Sequence, residues 1–140
     1  MKNINDILTT KYFQLLKAAM PSTQIFRDYV PTDLGGDVYV LISAINNTDK
    51  GTFQTDDTNT TIQVGIYSRT TTDNNGEAVG AIATSVYSAI KPGPLNNISV
   101  NGAQVLTTEL VNDVSPAPLD TGSMLFINRF ITFQHKIFHQ

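Results

Sequence analysis

The chain has no cysteine, which excludes disulfide scaffolds and thiolate metal sites and leaves packing as the source of stability. It also has no apolar run near the roughly 20 residues needed to cross a bilayer. The opening Met1-Lys-Asn-Ile-Asn-Asp-Ile-Leu8 puts charged and polar residues where a signal peptide needs its apolar region, so an intracellular product is expected. Cationic surplus is missing as well. The net charge is -3, whereas a dedicated nucleic-acid binder needs a basic patch to displace counterions from phosphates. Only the end of the chain is basic, with Arg129, Lys136 and two histidines but no acid after Asp120. Gly-x-Gly-x-x-Gly, a Walker lysine and Gly-x-Ser-x-Gly are all absent. Gly76 and Gly80 therefore do not amount to a phosphate cradle, and no serine or acid is marked as nucleophile or base. There is no internal repeat and no low-complexity tail.

What is present fits one compact domain over residues 1–140, since 140 residues with 41% hydrophobic side chains can bury a sizeable core. The most informative stretch is Thr60 to Pro92. Thr60-Thr-Ile-Gln-Val-Gly-Ile-Tyr-Ser-Arg69 has strand character. After a polar turn, Val79, Ile82, Ala83, Val86 and Ile90 recur at three- and four-residue spacing, which predicts an amphipathic helix over 75–90. Asn74 and Glu77 have the spacing of a capping box, and Lys91-Pro-Gly-Pro94 stops the helix because proline lacks the amide hydrogen a further turn needs. Gly80, Ala81, Ser85 and Ser88 lie off the apolar stripe, either as a solvent face or as a surface of close approach.

Ile4, Ile7, Leu8, Tyr12, Leu15, Leu16 and Ala19 predict another amphipathic helix over 4–20, closed by Pro21. Gln24 to Val30 reads as a short strand and Asp37 to Ile45 as a central strand that is apolar on both faces. From Asn46 to Thr60 the chain is almost wholly polar around a single Phe53, which predicts an exposed loop or a long hairpin extension. Residues 95–104 read as a loop with Ile98 and Val100 tucked beneath it, 104–110 as a strand, and 112–122 as an irregular connection. Ser123 to Phe138, rich in β-branched and aromatic residues, predicts a long final strand. One of its faces carries Leu125, Ile127, Arg129, Ile131, Phe133, His135 and Ile137. The expected class is α+β, with two helices packed on a mixed or largely antiparallel sheet of four to five strands.

Side chains with chemical potential are few. His135 and His139, four apart, would share a helix face, but on a strand they lie about 13 Å apart, so they read as surface histidines near a terminus. Asp49, Asp56 and Asp57 lack the ligand spacing of a calcium loop and read as solvating residues. Arg129 sits awkwardly between Ile127 and Ile131. It either snorkels to the sheet's edge or pairs with a carboxylate, one from another subunit included.

The order of elements resembles that of the tail terminator or tail completion proteins of tailed bacteriophages, small subunits that form a ring at the head-to-tail joint. The resemblance covers essentially the whole chain. It rests on the N-terminal helix followed by Ile25-Phe26, on Val38-Tyr-Val-Leu-Ile42, on the polar excursion, on Thr61 to Ser68 leading into the Glu77 to Ile90 helix, and on Phe130-Ile-Thr-Phe133. It implies a structural virion protein with no catalysis and no cofactor, made in the host bacterial cytoplasm and placed in the tail or neck. Its partners would be copies of itself in a hexameric or dodecameric ring and the adjoining portal, connector or tail proteins. Genomic DNA would pass through the lumen without specific binding, and no membrane is involved. The polar excursion corresponds to a segment that reaches toward neighbouring subunits or the lumen, which makes Phe53, Asp56 and Asp57, together with Arg129, candidate subunit-interface residues. A phage-derived bacterial accessory protein would have the same fold. The competing reading is a small soluble enzyme or ligand-binding domain with an unmarked site. The acidic balance and the two-sided apolar final strand favour a subunit that buries surface on assembly.

Overall fold

A computed structural model describes residues 4–28, 30, 38–49, 57–70, 77–90, 103–122 and 125–139. Two helices, α1 (Ile4–Ala19) and α2 (Glu77–Ala89), lie with six strands: β1 (Gln24–Arg27), β2 (Val38–Asp49), β3 (Asp57–Thr70), β4 (Ala103–Val114), β5 (Leu119–Asp120) and β6 (Leu125–His139). The strands form one sheet in the order β1-β2-β3-β6-β4, with β5 also paired to β6. β1 and β2 run parallel and every other pairing is antiparallel. This is the α+β arrangement expected from the pattern of elements.

Both helices bury their stripes on the same sheet face. Leu8, Tyr12, Leu16 and Met20 on one side and Val79, Ala83, Val86 and Ile90 on the other join Val40, Ile42, Ile62, Val64, Ile66, Ile131, Phe133 and Ile137 in one core. On α1 and just after it, Leu8, Tyr12, Leu16 and Met20 are buried at a four-residue step and Leu15 packs half-buried against them, as the periodicity predicts, whereas Ala19 is exposed. On α2, Ala81 and Ser88 are exposed and a β-carbon added to Gly80 would meet nothing within 4 Å, so among the described residues nothing covers its outer face.

Several boundaries differ from expectation. Of the two readings of Asn46 to Thr60, the hairpin extension is the one found at both ends: β2 continues to Asp49 and β3 begins at Asp57, with Asn47 opposite Thr60 and Asp49 opposite Thr58. The reason is that residues 58–60 pair with β6 as well as with β2, so their backbone groups are satisfied on both sides, and threonine tolerates extended structure. β1 stops at Arg27 instead of Val30: Asp28 turns to a positive φ of 69° while its amide bonds the Ile42 carbonyl at 3.0 Å. β4 runs past Leu110 to Val114, through residues read as irregular. It gains them by bulging, with register shifts between Val105 and Thr107 and between Leu110 and Asn112. Pro116 and Pro118, which have no amide to donate, separate β4 from the unforeseen β5 along the same side of β6. The capping residue Asn74 and the loop carrying Ile98 and Val100 lie outside the described residues. No described helix is long and apolar enough to cross a membrane.

Val86 is fully buried in the core. Val86→Asp puts an unpaired carboxylate there, at a cost of several kcal/mol. Loss of the cooperative thermal transition is expected, and a folded, fully cooperative variant would show that α2 presents a different face.

Candidate subunit interface

Of the four residues singled out as interface candidates, Phe53 and Asp56 lie outside the described residues. Asp57 opens β3 opposite Phe138. Arg129 sits on the helix-covered face, opposite Ile66, and is not left without a carboxylate. Its Nε donates to Asp113 Oδ1 at 2.8 Å and its Nη2 to Asp113 Oδ2 at 2.6 Å, a bidentate pair within one chain. The two side chains are diagonal neighbours across β4 and β6, Asp113 lying opposite Ile131. Tyr87 of α2 donates its hydroxyl to Asp113 Oδ2 at 2.7 Å, and its ring meets Phe133 edge-on at 6.1 Å. The Arg129 hydrogen bonds hold the Asp113 carboxyl below its usual range. Burial, followed by the hydrogen bond to Asp113, pushes Tyr87 up to about 12. With Arg129 satisfied inside the molecule, an unpaired cation no longer argues for a neighbouring subunit.

His135 overturns the expectation of a surface histidine. It is fully buried, because β6 is covered on both sides by β3 and β4 and α1 lies above it. Its Nε2 is 2.5 Å from the Tyr12 hydroxyl and its Nδ1 is 3.0 Å from the Thr108 hydroxyl. A neutral imidazole has one N–H donor and one acceptor, which two hydroxyls can match in either tautomer. Burial lowers its pKa to about 4 and raises that of Tyr12 well above normal. The His139 side chain lies outside the described set, and among the described residues no group of three or more His, Cys, Asp or Glu could hold a metal ion.

The sheet face away from the helices carries a row of rings: Phe26 against Tyr39 at 6.2 Å, Tyr39 stacked on Tyr67 at 4.9 Å, and Tyr67 edge-on to Phe130 at 5.6 Å. Gly65 makes the row possible, since a β-carbon there would stand 2.8 Å from the Tyr67 ring. Four of the five exposed large apolar side chains among the described residues lie along the β4 and β5 edge: Leu110, opposite Phe133, on the helix-covered face, Val114 and Leu119, opposite Phe130 and Phe126, on the aromatic face, and Val111 at the bulge between them. Sequence reading passed over this edge, and over Asp113, because two prolines marked the stretch as a connection. Four large aliphatics within the ten residues 110–119 were the available signal.

Two outcomes follow from these contacts. Asp113→Ala removes a bidentate but partly exposed pair, with side chains 28% and 22% accessible, so a loss of about 1 kcal/mol is expected in chemical denaturation. An unchanged midpoint would mean that solvent screens the pair completely. His135 binds no proton in the folded state until well below the unfolded value of 6.5. The contribution of His135 to stability is therefore constant above that value and falls as pH drops toward 4, by up to about 3 kcal/mol. His135→Gln keeps a donor and an acceptor but does not titrate there, so the slope attributable to residue 135 disappears. Equal slopes in both proteins would place the titration elsewhere.

No family model matches the chain, and no curated protein matches it in sequence. Among solved structures, its fold is shared with a chain from the virion of a native gene transfer agent particle, with a TM-score of 0.70 and 14% identity over 99% of each chain. A second solved chain matches with a TM-score of 0.55 and 11% identity over 94% of this chain and 92% of that one. The chain thus shares a fold, end to end, with a component of a virion.

Proposed function

We propose that the protein is a structural component of a phage-like virion, acting without catalysis or cofactor as a subunit of a ring at the head-to-tail joint. The observation that carries the reading is the end-to-end fold likeness to a chain of the gene transfer agent virion. The resemblance in element order to tail terminator and tail completion proteins supplies the finer placement. A hexamer is the favoured ring, and a dodecamer follows if the protein docks on a portal-associated collar. The role is geometric: the ring joins a filled head to a tail and presents a matched surface to each. Phe53, Asp56, Asp57 and the hairpin between β2 and β3 would reach toward neighbours or the lumen. A net charge of -3 suits a channel wall through which duplex DNA passes without being held, since weak attraction to phosphates favours passage.

The test is electron microscopy of intact particles with an antibody against this chain. A ring of density at the head-to-tail joint, labelled by the antibody, is expected. Particles in which the chain forms no ring there would defeat the assignment.

A further inference from the structure

We infer that the β4 and β5 edge of one copy docks, through side chains, on the edge that β1 and the C-terminal end of α1 form in the next copy. The inference deepens the ring reading and rests on it.

Four of the five exposed large hydrophobic residues among those described lie on the first edge. Leu110 is 43% accessible, Val111 53%, Val114 48% and Leu119 61%, while the fifth, Ile45, is remote on β2. β4 ends the strand order, and Val111, skipped in the register with β6, is the extra residue of a bulge. Bulged edges resist the addition of another strand, so the contact is made by side chains and not by a continued ladder.

Charge decides which surface fits. Glu109 and Asp120 flank the apolar residues and are exposed, with one exposed cation near them, Lys136, diagonal to Glu109 across β4 and β6; Asp120 Oδ1 accepts the Gly122 amide at 2.8 Å. At the other end of the sheet, Arg27 donates to the Thr10 hydroxyl and Lys17 to the Thr23 carbonyl at 3.0 Å. Both acceptors are neutral, and the one ion pair among the described residues is Arg129 with Asp113. Beside these cations Ala18, Ala19 and Pro21 are exposed, a low apolar surface with room for the larger aliphatics. Exposed acids outnumber cations on the β4 side (Glu109 and Asp120 against Lys136) and exposed cations outnumber acids on the β1 side (Lys17 and Arg27 against Asp28), so unlike edges attract more than like ones. β1 and β4 are four strand spacings apart, about 19 Å, so one molecule cannot satisfy the contact internally. A contact between unlike surfaces propagates from copy to copy and closes when the rotation between copies allows.

The absence of cysteine makes the arrangement directly readable. Val111→Cys is placed in one preparation and Ser22→Cys, at the exposed turn after α1, in another. The two are mixed in equal amounts and treated with a short, flexible bis-maleimide. The mixed dimer is expected as the main product, with each preparation alone at background. Adding Glu109→Lys and Asp120→Lys to the Val111→Cys chain should abolish the mixed product. Predominant self-linked Val111→Cys dimers would overturn the inference in favour of a twofold contact. A mixed product no stronger than in a denatured control would overturn it as well. Rings seen in particles without the mixed product would remove this contact and keep the ring, whereas the mixed product without rings would do the reverse.

Discussion

From Asp57 opposite Phe138 to Thr70 opposite Leu125, β3 and β6 pair without a break in register, and the position of everything else follows from that ladder. Because side chains alternate along a strand, the ladder puts Ile62, Val64 and Ile66 on the same face as Ile131, Phe133 and Ile137. A slip of one residue would turn Gln63, Gly65 and Tyr67 toward the helices instead. The two helices have one place to bury their stripes, and both take it. β2 adds Val40 and Ile42 to that face, and β4 adds Thr108, whose hydroxyl reaches His135.

Irregularity increases outward from this centre. β2 bulges against β3 at Ile45, β4 bulges twice against β6, and prolines interrupt the β4 and β5 edge. Side-chain bonds hold these outer parts to the middle. Arg129 fixes the end of β4 through Asp113, which α2 also reaches through Tyr87. Tyr12, His135 and Thr108 tie α1, β6 and β4 together beneath the surface. Such buried polar links favour one arrangement of helix and strands when every member is satisfied, because each unpaired alternative would leave a desolvated group.

What the sequence made legible was whatever periodicity controls. Val79, Ile82, Val86 and Ile90 marked the buried face of α2, whereas alternation on β6 sorted its residues into two faces, both partly apolar, without telling which one the helices cover. Partners distant in the chain were not legible. Asp113 lies 16 residues before Arg129 and Thr108 lies 27 before His135, and only sheet order and register bring either pair together. His135 was misread for the same reason: a histidine near the end of a chain is exposed unless neighbouring strands and a helix cover it. The polar run after Ile45 left a loop and a hairpin extension both open, because composition reports solvent exposure of side chains, whereas strand continuity depends on whether backbone groups find partners; β2 and β3 extend into it as a hairpin.

The division between the two faces bears on how such a domain can serve as a building unit. Both helices spend their apolar stripes on one side, so the fold's cohesion sits there. The aromatic row on the opposite face, with Gly65 leaving space for the Tyr67 ring, and the aliphatic edge of β4 and β5 contribute less to it. Groups outside the main core can be exchanged for contact with a neighbour at modest cost to folding, since surface substitutions usually change stability by about 0.5 kcal/mol or less. An edge that ends in a bulge and prolines also suits a defined assembly, because it prevents open-ended strand pairing while leaving Leu110, Val111, Val114 and Leu119 to find a surface of fitting shape and opposite charge. In the ring proposed for it, a subunit would need both properties: a core that does not depend on its neighbours, and edges that match only one of them.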